Sequence, residues 1–273
     1  MIKVSVIIPF YNGSRYIGKC IEAIQGQSFG DFEHIVVDDG SIASEREFVA
    51  DFIKKLPNII LISQKNSGQA AAVNAGIKIA KGEYIAFCDQ DDWWLPEKLK
   101  EQVKFLGTHN DVAMVYGDAF LGDEKGRVLN ETWMQSRKVD YVGGNYEECV
   151  AKLFNRNFIP APVAVLIRKN VFDKIGLFDE KFSSAYDYEY WFRMLEAGYK
   201  IGYIEKPLAV WRTYPEQESH KIKKIKKMLM VIIFDFLKRK PEFILQHPVK
   251  SIFKLIRVSG AYLTNYDPYN DVR

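Results

Sequence analysis

Four short polar segments of the chain carry residues that could bind a charged ligand, and each follows a short apolar run. They read Pro9-Phe10-Tyr11-Asn12, Asp38-Asp39-Gly40-Ser41, Asn66-Ser67-Gly68 and Asp89-Gln90-Asp91-Asp92. Taken singly, such segments can be plain turns, and one member of a strand-end pair, such as Asp38, is often structural. Five carboxylates gathered at one place would repel each other unless a cation lay among them. Carboxylate oxygens are suitable ligands for Mg²⁺ or Mn²⁺, so we expect a divalent cation that binds together with an anionic diphosphate.

The elements that precede these segments predict how they meet. The first half of the chain alternates short apolar runs with helical patterns, which is typical of βαβ units and a largely parallel sheet. The predicted strands are Val4–Ile8, His34–Val37, Ile59–Ile62 and Tyr84–Cys88. In open sheets of this kind ligands bind beyond the carboxyl ends of the strands, so the four segments are predicted to share one rim.

The second half of the chain is less regular. Val112–Tyr116 is a predicted strand, and the polar, glycine-rich stretch at 117–144 is predicted to form surface hairpins or loops. A helical stripe that contains Tyr188 and Trp191 ends near Gly198, and Val210–Arg212 predicts a last strand. Beyond residue 219 the pattern becomes helical and basic.

The composition argues against several classes of protein. The 273 residues carry 38 Lys and Arg against 35 Asp and Glu, a balance that argues against a nucleic-acid-binding protein. The sequence has neither the glycine fingerprint of a dinucleotide-binding fold nor the P-loop of an NTPase. Three cysteines without a Cys-x-x-Cys pair indicate a reducing compartment. With no signal peptide and no apolar run of membrane-spanning length, we expect a cytoplasmic protein.

Together, in this order and spacing, the four segments resemble the motifs of family 2 glycosyltransferases over residues 1 to about 215. The resemblance implies an α/β protein with the GT-A fold, an α/β/α sandwich around a mostly parallel central sheet. It implies a catalytic domain at 1–219, in which residues 1–116 bind a nucleotide-sugar and residues 117–219 bind the acceptor. A C-terminal helical extension at 220–273 completes the predicted organisation.

The resemblance also implies a donor site. Tyr11 lines the base pocket, Asp39 accepts a hydrogen bond from the nucleobase, and Asp89 faces the ribose or the diphosphate. Asp91 and Asp89 are the implied ligands of Mn²⁺ or Mg²⁺. The alternative for Tyr11 is a core aromatic. The full implied set of donor-binding residues is Pro9, Tyr11, Asn12, Asp39, Asn66, Gly68, Asp89, Asp91 and Asp92.

An inverting sugar transfer also needs a base on the acceptor side. The family supplies it from an acidic pair at the start of a helix, which residues 183–193 match with Asp187 as the base and Tyr186 in place of the preceding acid. Glu189 is a rival base, and Asp187 could instead be a first-turn acid favoured by the helix dipole. Downstream, Trp211-Arg212 resembles the family's aromatic-Arg pair, in which Arg212 either contacts the diphosphate or forms an ion pair.

The predicted reaction is the inverting, metal-dependent transfer of a sugar, most commonly from a UDP-sugar. The implied acceptor is a glycan or a polyprenyl-linked glycan, as in bacterial polysaccharide assembly. The alternative is a non-catalytic module that binds a nucleotide-sugar or glycan on the same fold. The presence of both Asp91 and Asp187 favours the enzyme.

The charge is unevenly distributed along the chain. Between residues 220 and 257 eleven Lys and Arg stand against two acids, so this stretch carries +9 and the remaining chain −6. The lysines alternate with apolar residues at helical spacing, a pattern of helices that bind anionic membrane surfaces. We therefore expect peripheral association with the inner face of a membrane. The competing interpretation is a helix that packs on the catalytic domain or on a second subunit of a homodimer. The apolar residues are Met228, Leu229, Ile232, Ile233, Phe236 and Leu237.

Overall fold

The computed structural model describes residues 2–182, 184–215, 217 and 222–263, so Ser183 and the predicted domain boundary at 219/220 lie outside the described residues. In this part of the chain the strands are β1 (Val4–Phe10), β2 (Phe32–Asp38), β3 (Ile59–Ser63), β4 (Tyr84–Phe87), β5 (Trp93–Trp94), β6 (Val112–Gly122), β7 (Val128–Thr132), β8 (Val165–Arg168) and β9 (Lys200–Arg212). The helices are α1 (Ser14–Gln25), α2 (Ala43–Ile53), α3 (Gln69–Ile79), α4 (Lys98–Thr108), α5 (Trp133–Arg137), α6 (Tyr146–Asn155), α7 (Asn170–Ile175), α8 (Tyr186–Glu196), α9 (Ile222–Arg239), α10 (Pro241–Gln246) and α11 (Pro248–Leu263).

The described strands form one sheet in the spatial order β3-β2-β1-β4-β8-β6-β9-β5, and β7 pairs with β6. Strands β1 to β4 run parallel, which confirms the predicted βαβ units, and β8 continues the sheet antiparallel to β4. Strands β6 and β9 pair in parallel. Because β1, β2 and β4 are parallel neighbours, their carboxyl ends meet at one edge of the sheet.

Each face of the sheet has its own hydrophobic core, because successive side chains of a strand point to opposite faces. From β1, Ile7 packs into a core with residues of α3, α6, α8 and α9. Val6 and Ile8 pack into the other core, with residues of α1, α2 and α4. Helices on both faces make an α/β/α sandwich, as the sequence predicts.

The prediction of surface hairpins or loops at 117–144 is confirmed in part, because β6 and β7 pair antiparallel as a hairpin, but regular structure fills more of this stretch than predicted. Strand β6 extends to Gly122, and β7 and α5 follow within the same stretch. Hydrogen bonding to β9 on one side, and to β8 and then β7 on the other, holds the polar and glycine residues of β6 in a strand. Gly122 also leaves room for a neighbour, because a β carbon there would lie 2.6 Å from the ring of Trp93. The predicted last strand, Val210–Arg212, is only the end of the longer β9.

Helix α9 belongs to the packed core of the described chain. Ile232, Ile233 and Phe236 are fully buried, and the ring centroid of Phe236 lies 4.6 Å from that of Phe192 and 5.7 Å from that of Phe154. Five of the six apolar residues that the sequence singled out on α9 are buried and are therefore not available to a membrane, although Phe234 is 49% exposed. The competing interpretation, packing on the catalytic domain, is correct for the buried face of this helix. None of the helices in the described ranges combines the length and apolarity that crossing a bilayer would need.

Candidate active site

A cavity of about 720 Å³ opens beyond the carboxyl ends of β1, β2 and β4. It gathers eight of the ten residues that the sequence assigns to donor binding and catalysis. Asn12 and Asp92 are the two that do not line it. The predicted residues in its wall are Pro9, Tyr11, Asp39, Asn66, Gly68, Asp89, Asp91 and Asp187.

Asp39, just after β2, anchors the loop that carries Asn66 and Gly68. Its Oδ1 accepts hydrogen bonds from the backbone N–H of Ser67 and the side-chain amide of Gln64, both at 2.8 Å. Its Oδ2 accepts one from the N–H of Gly68, also at 2.8 Å. A carboxylate offers about four lone-pair positions, so Asp39 can still accept one more hydrogen bond from a ligand.

The residues on either side of Asp39 have structural roles. Gly40 has a φ of +76°, and a β carbon there would lie 2.6 Å from the backbone nitrogen of Asn66, so another residue would push the two loops apart. Asp38 is fully buried, and its Oδ1 accepts a hydrogen bond from the N–H of Ser41 at 2.9 Å. The predicted gathering of five carboxylates therefore does not include Asp38.

Tyr11 stands at the cavity with 48% of its surface exposed, which excludes a core aromatic. Gln90 holds its backbone, because the N–H of Tyr11 donates to Gln90 Oε1 at 2.9 Å and its carbonyl accepts from Nε2 at 3.2 Å. A ring positioned in this way can stack on a planar base. The neighbouring Asn12 lies outside the cavity wall and binds the start of α2, where its Oδ1 accepts a hydrogen bond from the N–H of Ile42 at 3.0 Å.

Asp89 and Asp91 line the cavity as a pair of carboxylates. Asp89 Oδ1 accepts a hydrogen bond from Gln69 Nε2 at 2.7 Å, and Asp91 Oδ2 accepts one from the hydroxyl of Tyr214 at 2.9 Å. Burial raises the pKa of both carboxyls, and the charge of Asp91 raises the pKa of Asp89 further. A positive charge between them would relieve this repulsion.

This pair fits a divalent metal ion. Mg²⁺ and Mn²⁺ prefer oxygen ligands, and Mg²⁺ commonly uses one or two carboxylates with water and substrate phosphates as the other ligands. Within the described residues there is no group of three or more His, Cys, Asp or Glu side chains that could hold a metal ion. Asp89 and Asp91 are the candidate ligands that the chain supplies.

Asp92 and Arg212 shape the loop that carries Asp91. Asp92 is buried, and its Oδ1 accepts a hydrogen bond from the backbone N–H of Arg212 at 2.8 Å. The guanidinium Nε of Arg212 donates to the carbonyl of Asp91 at 2.7 Å, and the group lies over the rings of Tyr16 and Trp93. Asp92 therefore lies behind the cavity wall, where it holds the backbone of Arg212. Arg212 acts as a positioning residue outside the cavity wall.

Asp187 lies in the first turn of α8 and lines the same cavity. Burial raises its pKa to about 6, although backbone hydrogen bonds from Tyr188 and from Asp187 itself oppose the shift. The charge of Asp187 in turn raises the pKa of Asp89. Tyr186, which stands in place of the expected acid, is buried edge-on against Phe178 with ring centroids 5.0 Å apart.

Glu189, the alternative base, is ion-paired with Arg193. It is 3% exposed and lies outside the cavity wall. Its two carboxylate oxygens accept from Arg193 Nε at 3.0 and 2.9 Å, and Arg193 also donates to the carbonyls of Ile175 and Leu177. Of the two acids in the first turn of α8, only Asp187 faces the cavity.

Several polar side chains that position the predicted residues were not predicted, among them Gln64, Gln69, Gln90 and Tyr214. For Gln69 and Gln90 a signal exists, because Gln69 directly follows Asn66-Ser67-Gly68 and Gln90 lies inside the acidic segment at 89–92. Tyr214 has no local signal, since its contact with Asp91 joins distant parts of the chain.

Basic residues also line the cavity, and we call this set its basic side. Among the described lining residues the cations are Arg137 of α5, Arg156 after α6, and Lys224 and Lys226 of α9. The sequence analysis counted both lysines only as part of a charged tail. Their position follows from the packing of α9 on the domain, which the sequence left as one of two alternatives.

Comparisons with known proteins identify the family and the fold. The sequence model of glycosyl transferase family 2 matches residues 5–176. An uncharacterized glycosyltransferase of Rickettsia felis is 31% identical over 274 residues, a match that covers 97% of this chain but only 43% of that relative's length. The crystal structure of S. aureus TarS 1–349 in complex with UDP-GlcNAc has a TM-score of 0.67 at 20% identity, over 96% of this chain and 71% of that one. The mannosyltransferase PcManGT from Pyrobaculum calidifontis, in complex with GDP-Man and Mn²⁺, has a TM-score of 0.66 at 16% identity, over 98% and 81%.

Proposed function

Because the chain belongs to glycosyl transferase family 2, we propose that it transfers a sugar from a nucleotide-sugar to an acceptor hydroxyl, with inversion at the anomeric carbon. The observation that carries this proposal is the meeting of Asp39, Asp89, Asp91 and Asp187 in one cavity. These carboxylates come from two strand ends and the start of a helix, and together they offer a donor site, a metal site and a base.

Tyr11 and Asp39 hold the nucleotide in this proposal. The exposed ring of Tyr11 can stack on the base, and Asp39 can accept a hydrogen bond from a base N–H group. We take the nucleotide to be UDP, which the family resemblance favours and which TarS carries as UDP-GlcNAc. PcManGT is solved with GDP-Man, so the choice of nucleotide needs a direct test.

The metal site in this proposal consists of Asp89 and Asp91. A divalent cation held by these two carboxylates would neutralise the charge of the leaving diphosphate. The Mn²⁺ of PcManGT supports a metal on this fold. Gln69 and Tyr214 each donate one hydrogen bond to the pair, which keeps the two carboxylates oriented toward the cavity.

Asp187 is the proposed base. As the acceptor oxygen bonds to the anomeric carbon, the bond from that carbon to the diphosphate oxygen breaks and Asp187 takes the hydroxyl proton. A pKa of about 6 leaves the carboxylate ionised at neutral pH and makes it more basic than an ordinary aspartate. The proposed acceptor is a hydroxyl of a glycan or of a polyprenyl-linked glycan.

Calorimetric titration with UDP, with and without Mn²⁺, tests the donor site. We expect binding that requires Mn²⁺ and that Asp91→Ala abolishes. Asp111→Ala serves as the control, because Asp111 is exposed and lies outside the cavity wall. Binding that ignores Mn²⁺ and survives Asp91→Ala would refute the proposed site.

A panel of nucleotide-sugars, each tested for thermal stabilisation with Mn²⁺, identifies the donor, because a ligand of the folded state raises the melting temperature. The enzyme and the non-catalytic alternative differ in what happens to the nucleotide-sugar so identified. An enzyme slowly hydrolyses it and releases UDP, at a rate that Asp187→Asn lowers, whereas a binding module leaves it intact.

A further inference from the structure

The basic side of the cavity bears on the nature of the acceptor. Arg137 and Arg156 are half-buried and Lys226 is 3% exposed, so an anion would meet their charges partly out of water. Ion-paired hydrogen bonds are stronger there than on an open surface. These cations come from the second half of the chain, whereas three of the four carboxylates in the wall follow β2 and β4.

From the presence of these cations in the same cavity as the carboxylates, we propose that the acceptor carries a phosphate or diphosphate group, bound by Arg137, Arg156, Lys224 and Lys226. The inference rests on the proposed function, in which the acceptor hydroxyl faces Asp187. A guanidinium can bind phosphate through two parallel hydrogen bonds, and lysines add point charges. Apolar lining residues, Ile225 and Leu229, accompany the lysines on α9, so a hydrocarbon chain on the phosphate would also find contacts. A sugar linked to a prenyl diphosphate has all of these features.

Titration of geranyl diphosphate into the protein saturated with UDP and Mg²⁺ tests the acceptor site. We expect saturable binding, and binding of geraniol, which lacks the phosphates, that is at least ~tenfold weaker. The double variant Arg137→Gln/Lys224→Gln should bind geranyl diphosphate ~tenfold more weakly or worse. The matched control is Arg127→Gln/Lys227→Gln, which removes the same charges from exposed positions outside the cavity wall.

UDP affinity in every variant separates this inference from the proposed function and also reports folding. Unchanged UDP binding together with lost geranyl diphosphate binding supports the inference. Competition between geranyl diphosphate and UDP, or a double variant that loses UDP binding, would assign the basic side to the donor and overturn it. Failure of geranyl diphosphate and of glycerol 3-phosphate to bind would also overturn it. Tighter binding of geranyl diphosphate would indicate a lipid-linked phosphate, and tighter binding of glycerol 3-phosphate would indicate a phosphate within a polymer.

A separate observation concerns the two sides of α11. The side that packs on the protein carries Val258, which is 5% exposed, together with the polar Ser251 and Lys254, which are 1% and 9% exposed. The outward side carries four large apolar residues that recur at spacings of three and four and so form one stripe. They are Val249, Ile252, Phe253 and Ile256, exposed by 63%, 57%, 68% and 64%.

From this stripe and the charges around it, we infer that α11 docks on an anionic bilayer. Residues 238–257 contain six Lys and Arg and a single acid. Basic residues beside an apolar stripe can bind anionic headgroups while the apolar side chains contact the acyl chains. Lys254 donates to the carbonyl of Asn155 at 3.0 Å, one residue before Arg156 of the cavity wall. Docking through α11 would therefore bring the acceptor side of the cavity toward the lipid surface.

Co-sedimentation with vesicles of equal parts phosphatidylglycerol and phosphatidylcholine tests the docking. We expect binding to these vesicles and much less to pure phosphatidylcholine. The variant Ile252→Ser/Phe253→Ser should bind ~tenfold more weakly or worse, because both side chains would enter the acyl boundary. The matched control, Ile42→Ser/Val128→Ser, removes apolar residues that are 61% and 50% exposed on other surfaces and should bind as the wild type does.

Three results would overturn the docking inference. They are no binding to the anionic vesicles, equal binding by the stripe variant, or a wild-type dimer in light scattering that the stripe variant separates into monomers. The last result would assign the stripe to an interface between two copies of the chain. Retained UDP binding shows that the variant is folded.

Discussion

Replacing Asp187 by Asn should abolish catalysis and at the same time stabilise the fold. Burial raises the pKa of Asp187 from 3.8 to about 6. Because the folded-state pKa lies above the unfolded one, the ionised carboxylate costs the folded state free energy above about pH 6, and the cost disappears as the pH falls toward 4. Two pKa units correspond to about 3 kcal/mol. Asp187 is partly exposed and water screens its charge, so we expect Asp187→Asn to gain ~1–3 kcal/mol at neutral pH.

The loss of activity in the same variant follows from the missing base. A general base contributes about 10²–10⁴-fold to the rate, and Asn cannot take the proton. In the wild type the rate should fall about tenfold per pH unit below pH 6, as Asp187 becomes protonated. UDP release measured between pH 5 and 8, together with thermal unfolding at pH 7.5, checks both effects. UDP binding should persist in the variant.

The control for this prediction is Glu189→Gln. Glu189 pairs with Arg193 and lies outside the cavity wall, so the turnover of folded protein should be unchanged. If Asp187→Asn lowers the melting temperature and keeps transfer, Asp187 is a structural first-turn acid and the reasoning above is refuted.

Three further changes test how the site is built. Tyr11→Ala should weaken UDP binding by ~1–3 kcal/mol in calorimetry and Tyr11→Phe should retain it, because the ring stacks on the base; equal loss in both variants would contradict stacking. Arg212→Met should raise the KM for the nucleotide-sugar more than it lowers kcat, because the carbonyl of Asp91 loses the hydrogen bond from the guanidinium. An unchanged KM in steady-state kinetics would argue against a positioning role for Arg212. Gly40→Ala should cost ~2 kcal/mol or more in urea unfolding because of its positive φ and the close backbone opposite. Gly30→Ala, with open space around it, should be close to neutral, and equal effects of the two substitutions would contradict the steric argument.

Much of the site could be predicted from local patterns. Apolar runs of strand length followed by Asp, Asn and Gly place Asp39, Asp89 and Asp91 at strand ends, and parallel strands bring those ends together. Asp187 could be chosen over Glu189 because residues two apart on a helix face different directions. The long strand β9 could not be predicted from its sequence, since its pairing with β6, and not its own composition, keeps it extended.

The sequence by itself determined the family, the parallel first half and the carboxylates available for chemistry, because each depends on the order and spacing of residues along the chain. Only the tertiary structure decided what surrounds these carboxylates. Asp38 ends β2 with its side chain buried, and Asp39 lines the cavity, since neighbouring side chains leave a strand end in different directions. The tertiary structure also decided which part of the basic tail is buried. Both α9 and α11 carry apolar stripes, but only α9 packs against Phe154 and Phe192, which lie far away in sequence. An apolar stripe in the sequence indicates that one face of a helix is buried, and the packing of elements that are distant in sequence determines what covers that face.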